Sequence, residues 1–251
     1  MQRVASLFIW VAIALLIVCW LPLLATVWLF DQDPFKYRTG RMFRRLGKMI
    51  TRVNPKWHVE IESGEAIDPR NPYVMVCNHL SNADIPVISN LPWEMKWVAK
   101  RELFKIPVVG WMMKLSGDIP VDRGGRKGQI EMVKRALYYL RNKTSVIFFP
   151  EGTRSVDGRL RRFSKGAFEL AIREQVPILP MILDGTRDCL PKNSWIFERD
   201  VHVRLKVLSP IETTGLNRED VERLMTQVRS RMVQSLSEYR NVPPKQVDGT
   251  L

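Results

Sequence analysis

Tyr73-Val74-Met75-Val76-Cys77-Asn78-His79-Leu80-Ser81-Asn82-Ala83-Asp84 is the stretch that decides how this chain is read. Its first five residues form a short, apolar, partly β-branched run, the signature of a buried strand. Asn-His ends the run, and Ser, Asn and Asp precede the next apolar residues, so the stretch reads as strand, turn and helix start. α/β proteins carry their chemistry at such strand ends. His79 and Asp84 stand five residues apart. On one continuous helix they would diverge by about 140°, at roughly 100° per residue. They meet only if the chain bends between them, with His79 on the turn and Asp84 in the first turn of the helix. An aspartate so placed accepts from one imidazole nitrogen and leaves the other free as a base. A polar turn with a capping Asp is the plainer reading of the same residues, and the rest of the chain decides between the two.

From residue 56 onward, strand-like and helix-like runs alternate. Strands are expected at Trp57–Ile61, Tyr73–Cys77, Lys96–Ala99, Gly117–Val121, Ser145–Phe149, Ile178–Leu183 and Val201–Leu208. Helices are expected at 84–90, 104–116, 126–141, 163–174 and 217–239, the last with Asn217 as N-cap and Asp220 in its first turn. Such alternation predicts an α/β domain over residues 56–240, with a mostly parallel or mixed sheet flanked by helices. Residues 241–251 read as a flexible, frayed tail. No internal repeat or low-complexity tract interrupts the pattern.

Upstream, Val4 to Phe30 contains no charged residue, ample to cross a bilayer core of about 30 Å at 1.5 Å per residue. A signal peptide has a shorter apolar region and a small-residue cleavage site, neither of which is evident here. Residues 1–32 are therefore expected to be a membrane anchor, either a helix or, through Pro22, a re-entrant hairpin. In residues 33–55, Arg38, Arg41, Arg45, Lys48 and Arg52 recur at three- and four-residue steps as one basic stripe. Met42, Leu46, Met49, Ile50 and Val53 form an apolar stripe on another side. The segment reads as an amphipathic helix with a solvated basic face or, beside an anchor, as a helix lying on anionic lipid. The basic flank favours a cytoplasmic location for the domain that follows.

Lys and Arg total 39 against 26 Asp and Glu, a net charge of +13 over 251 residues. Such an excess calls for an anionic partner: lipid headgroups, nucleic acid or a phosphorylated substrate. Cys19, Cys77 and Cys189 lack paired spacing, which argues against a disulfide framework or a zinc site. Cys77 and His79 share one side of an unbroken strand, so a Cys–His nucleophile pair is conceivable, although a small core residue explains Cys77 as well.

Several strand ends repeat one chemical theme. Lys96–Ala99 runs into Lys100 and Arg101, Gly117–Asp122 into Arg123, and Ser145–Phe149 into Pro150-Glu151-Gly152-Thr153-Arg154-Ser155. If these strands are parallel, their cations share an edge with His79 and can bind a phosphate, with Gly152 letting the backbone approach closely.

Four ordered blocks, Asn78-His79 to Asp84, Gly117 to Arg123, Phe149 to Ser155 and Val176-Pro177-Ile178-Leu179-Pro180, span about a hundred residues. In these the chain resembles the bacterial lysophosphatidate acyltransferase (1-acyl-sn-glycerol-3-phosphate acyltransferase) family. It departs from the family only in the second block, with Pro120-Val121 where Phe-Ile is usual. The resemblance implies transfer of an acyl group from a thioester, acyl-CoA or acyl carrier protein, to the sn-2 hydroxyl of a lysophospholipid, giving phosphatidic acid. It implies His79 as general base and Asp84 as the group that orients it. Arg154, Lys100 and Arg123 would hold the substrate phosphate, with Glu151, Gly152 and Thr153 in the same loop and Glu151 and Gly152 helping to position the glycerol. It also implies a catalytic domain on the cytoplasmic side of a bacterial inner membrane.

A thioester is already activated, so no metal or other cofactor is expected, and metal-ligand and nucleotide motifs are absent from the sequence. Backbone N–H groups at the helix start are expected to stabilise the oxyanion. Three alternatives stand beside this reading. One is an acyltransferase for another lysolipid; a second is a lipase or thioesterase, although no Gly-x-Ser-x-Gly elbow occurs; the third is a basic, membrane-tethered binding module. The third leaves the His79/Asp84 pair without a purpose.

Overall fold

The computed structural model describes residues 2–63, 67–69, 71–122, 125–190, 194–197 and 200–250. Among them seven strands form one sheet: β1 (Trp57–Ser63), β2 (Val74–Cys77), β3 (Met95–Lys100), β4 (Ile119–Val121), β5 (Ser145–Phe148), β6 (Ile178–Asp184) and β7 (Val201–Val207). Their order is β1-β7-β6-β2-β5-β3-β4. β6, β2, β5, β3 and β4 run parallel, while β7 lies antiparallel to β6 and carries β1 parallel to itself. The sheet is mixed, and every strand expected from the sequence is present. β2 and β5 are buried along their whole length, which is why they read as unbroken apolar runs.

The helices are α1 (Gln2–Phe30), α2 (Tyr37–Val53), α3 (Asp84–Ile88), α4 (Val109–Leu115), α5 (Arg126–Arg141), α6 (Gly166–Glu174), α7 (Thr186–Cys189), α8 (Val221–Arg240) and α9 (Pro244–Val247). The helix expected over 104–116 is broken into a 3-10 turn, Arg101–Lys105, and α4. Pro107 lacks an N–H and forces Ile106 into an extended conformation (ψ 124°), so the two pieces cannot join. Asn217 closes a capping box ahead of α8. Its side chain accepts from Glu219 N at 2.8 Å, and Asp220 Oδ2 accepts from Asn217 N at 2.9 Å.

Two apolar layers cover the sheet. Val74 and Val76 face α5, α6 and α8 through Ala136, Phe168, Val228 and Met232, whereas Met75 and Cys77 point the other way toward Val87, Trp93 and Met181. This is the two-residue alternation of a strand buried on both faces.

α1 runs as a single helix through Pro22, so the N-terminal element is a helix and not a hairpin. Among the described residues it is the helix long and apolar enough to cross a membrane. One stripe of it packs on α2 and α4 through Leu24, Leu46 and Met112, and Trp20 donates its Nε1–H to Met42 O at 3.1 Å. Val4, Phe8, Leu15 and Leu29 stay exposed.

On α2, Arg38, Arg45 and Arg52 are exposed, with Arg41 and Lys48 partly so. Arg44, outside that stripe, is buried and pairs with Asp118 at 2.5 Å and Glu94 at 3.7 Å. Lys96 donates to Glu94 Oε1 at 3.0 Å and Ser116 O at 2.7 Å. A Cβ at Gly40 would collide with the Glu94 carboxylate, so the helix approaches its partner at a glycine. Burial pushes the Glu94 carboxyl above its ordinary range, against the pull of Lys96 and Arg44. Buried charges are stable only when paired in this way.

The frayed tail expected over 241–251 is corrected for residues 241–250. α9 packs with Val247 fully buried, and Asp248 forms a two-point pair with Arg229, both bonds 2.7 Å. Leu160 N donates to Val247 O at 2.8 Å, and Gly249 N donates to Leu160 O at 3.0 Å. One apolar side chain and one carboxylate tie down a segment too short to show periodicity.

Candidate active site

Because β2, β5, β3 and β4 are parallel neighbours, the chain segments that leave their C-terminal ends gather on one edge. Asn78 ends β2 by bonding across to β6, donating to Leu183 O at 2.9 Å and accepting from Leu183 N at 2.7 Å. The backbone then turns, and His79 stands at the edge.

Asp84, fully buried at the first position of α3, closes the turn. Its Oδ2 accepts from Leu80 N at 2.7 Å and Ser81 N at 3.0 Å, and lies 2.6 Å from His79 Nδ1. An ionised carboxylate accepts only, so Nδ1 carries the proton and Nε2 is the basic nitrogen. The two residues meet by the bend expected from their spacing. Of the backbone N–H groups at this helix start, Leu80 and Ser81 donate to Asp84 and Ala83 donates to Ser81 Oγ at 3.3 Å.

The segment after β5 builds the other wall. Phe149 lays its ring on the His79 imidazole, centroids 4.1 Å apart and planes at 15°, and Trp97 lies 5.8 Å beyond Phe149. Glu151 Oε1 accepts from His79 N at 2.7 Å and Oε2 from Arg161 N at 2.9 Å. Ser155 N donates to His79 O at 2.8 Å. Both backbone groups of His79 are thus held by the loop 149–155.

Burial pushes the Glu151 carboxyl up to about 7, opposed by those two N–H donors. Gly152 has φ 70°, a left-handed conformation that glycine adopts without strain. A Cβ there would meet nothing within 4 Å, so the backbone angle and not crowding calls for glycine.

Of the expected substrate-binding residues, Thr153 and Arg154 are exposed on this loop, and Lys100 is exposed at the end of β3. Arg101, its neighbour, is occupied by Asp122 at 2.6 Å and Glu131 at 3.1 Å. Arg123 lies outside the described residues. Glu151, expected at the glycerol, instead has both carboxylate oxygens on backbone donors, where it clamps loop to turn.

Cys77 is fully buried, and burial followed by the charges of Asp84 and Glu151 pushes its thiol well above the ordinary range. Such a thiol is a poor nucleophile. Phe149 and Arg161 are the participants that sequence reading missed. Phe149 reads as a strand residue and Arg161 falls in no expected element or block, and neither a ring stack nor a backbone donor leaves a pattern in sequence. Among the described residues no group of three or more His, Cys, Asp or Glu could hold a metal ion.

Residues 58–184 match the model of the Acyltransferase family. The chain is 34% identical over 205 residues to the chloroplastic 1-acyl-sn-glycerol-3-phosphate acyltransferase LPAT1 of Arabidopsis thaliana, covering 81% of this chain and 56% of that protein. It is 32% identical over 209 residues to the 1-acyl-sn-glycerol-3-phosphate acyltransferase of Saccharomyces cerevisiae, covering 82% and 67%. The crystal structure of the 1-acyl-sn-glycerophosphate (LPA) acyltransferase PlsC from Thermotoga maritima superposes with a TM-score of 0.80 at 27% identity, over 95% of this chain and 96% of that one. The chain spans only about half the length of the chloroplastic relatives, 56% for Arabidopsis and 53% for Brassica napus.

Proposed function

The chain belongs to the acyltransferase family, in its lysophosphatidate acyltransferase (PlsC-like) branch, and on that premise we propose that it moves a fatty acyl group from a thioester to the sn-2 hydroxyl of 1-acyl-glycerol-3-phosphate, giving phosphatidic acid. The observation that carries this is the 2.6 Å contact between His79 Nδ1 and Asp84 Oδ2 on the edge that also bears Lys100 and the Glu151–Arg154 loop.

His79 Nε2 takes the proton of the glycerol hydroxyl as its oxygen attacks the thioester carbonyl. Asp84 holds the ring and stabilises the imidazolium, which then gives the proton to the departing thiolate. General-base catalysis supplies a factor on the order of 10²–10⁴ and positioning supplies the rest. No metal or cofactor is called for, because the thioester is already activated. Arg154, Lys100 and Arg123 are assigned to the acceptor phosphate by their charge and their loops. The donor, acyl-CoA or acyl carrier protein, is anionic in either form and suits the net charge of +13.

The apolar α1 and the basic stripe of α2 favour a membrane-bound enzyme with its catalytic domain on the cytoplasmic side, and the resemblance to the bacterial family makes that membrane a bacterial inner membrane in this reading. Thiol release from acyl-CoA and from acyl carrier protein, measured with and without lysophosphatidate, tests the reading. Acceptor-dependent release with phosphatidic acid as product supports it. Release at equal rate without acceptor makes the protein a thioesterase, and no release with either donor overturns the assignment.

A further inference from the structure

We infer that Arg229 and Asp248 are positioning residues for His79, acting through the loop that carries Glu151. This rests on the acyl-transfer reading above for its kinetic consequence only.

The connection is continuous. Asp248 receives the Arg229 guanidinium in a two-point contact, 2.7 Å from both Nη1 and Nη2, with both side chains mostly buried. The same guanidinium donates to Leu160 O at 2.8 Å through Nη2 and to Arg161 O at 3.4 Å through Nε. Leu160 is also bridged to the segment after α8, donating to Val247 O at 2.8 Å and accepting from Gly249 N at 3.0 Å. Arg161 N then donates to Glu151 Oε2 at 2.9 Å, and Glu151 Oε1 accepts from His79 N at 2.7 Å.

α8 grips the loop a second time where Arg240 donates to Gly158 O at 2.8 Å while pairing with Asp184 at 2.7 Å. Between Ser155 and Ser164 the loop buries few apolar side chains, chiefly Leu160 and Phe163, so its backbone hydrogen bonds determine its position. Loops with so little core of their own sit at the low end of local stability unless tied. A charge-assisted fork supplies such a tie, and a displacement of about 1 Å at a reacting group can cost on the order of 10²-fold. Among the described residues, neither Arg229 nor Asp248 is hydrogen-bonded to His79 or to the exposed Arg154, so their effect travels through the loop, by the Arg161–Glu151 link and by the Ser155 N–H on His79 O.

The test uses the full-length chain in detergent or vesicles. Arg229→Ala is expected to lower kcat for lysophosphatidate by 10-fold or more with KM changed less than about 3-fold, and Arg229→Lys, which keeps charge but loses the fork, to fall between. Asp248→Ala, at the far end of the relay, should reproduce the kcat loss and guards against a folding failure in the first variant. Amide hydrogen exchange gives a readout independent of turnover: the N–H groups of Arg161 and His79 should exchange at least 10-fold faster in Arg229→Ala and Asp248→Ala, while those of β2 and β5 do not. Folded variants with unchanged exchange at Arg161 and His79 overturn the inference, as does faster exchange with kcat unaltered. A wild-type protein inactive toward lysophosphatidate overturns the proposed function instead, and the exchange comparison still decides the relay.

Discussion

The imidazole of His79 lies flat against the ring of Phe149, 4.1 Å between centroids with the planes 15° apart. Asp84 fixes the ring in its own plane through Nδ1, and Phe149 fixes the plane itself. Stacking of this kind contributes about 0.5–1.5 kcal/mol beyond burial. Phe149→Leu should therefore lower kcat by roughly 2- to 12-fold, with Phe149→Tyr close to wild type. Equal turnover in Phe149→Leu and wild type would show that Asp84 alone orients the base.

Removing the base has a larger effect. His79→Ala should lower turnover by at least ~10² and leave lysophosphatidate binding largely intact, because a proton acceptor is lost and no phosphate contact is. Asp84→Asn should be damaging as well. All three N–H groups face Oδ2, so an amide oxygen in that place keeps the turn but no longer stabilises the imidazolium by charge, and an amide flipped to put its NH2 there favours the wrong tautomer. Single-turnover rates and equilibrium binding on the two variants check this; near-normal turnover in His79→Ala would falsify the mechanism.

Direct transfer predicts that Cys77 is dispensable. Its thiol is fully buried and held well above the ordinary range by that burial, so Cys77→Ala should keep near-normal kcat and lose about 1 kcal/mol of stability from the small cavity. Mass spectrometry after mixing the wild type with donor alone should find no acyl-enzyme. A stoichiometric acyl group on Cys77 would replace direct transfer with a covalent route.

Arg154 is exposed on the loop after β5, where a guanidinium can meet two phosphate oxygens and an ammonium cannot copy it. With lysophosphatidate, Arg154→Ala should cost about 1.5–3 kcal/mol, or roughly 10- to 150-fold in kcat/KM, with Arg154→Lys in between. A monoacylglycerol has no phosphate, and its slow reaction should change little. If both acceptors lose equally, Arg154 shapes the loop or serves the donor.

Glu151 sets a pH dependence of stability. Its carboxyl moves from an ordinary 4.5 to about 7 on folding because it is buried. Between those values the folded chain holds a proton that the unfolded chain has lost. Stability from this group is therefore greatest below about 4.5 and declines as pH rises toward 7. Melting temperatures at pH 5 and pH 8 should differ less in Glu151→Gln than in wild type. An identical pH difference in both would assign the dependence to other groups. The same variant puts an amide donor against one of the two N–H groups held by Glu151, so its turnover should also fall.

The sequence by itself determined the alternation of seven strands with helices, the turn that lets His79 meet Asp84, the uncharged apolar run at the N-terminus and the four blocks that mark the family. These are local properties. Periodicity of two or 3.6, a polar residue at a helix start and a five-residue spacing are each written in a short window. Tertiary structure decided the rest: that Glu151 clamps His79 across 72 residues, that Arg44 is buried on Asp118 across 74, and that Asp248 meets Arg229 to fasten Leu160. A carboxylate exposed on a loop and one that holds two backbone N–H groups have the same letter and similar neighbours in sequence. What separates them is burial, because an unpaired charge or N–H removed from water is costly and must find a partner wherever packing brings one. Partner choice of that kind follows the order of strands in the sheet, which puts β5 beside β2 and brings α8 over the loop, and not the order of residues in the chain.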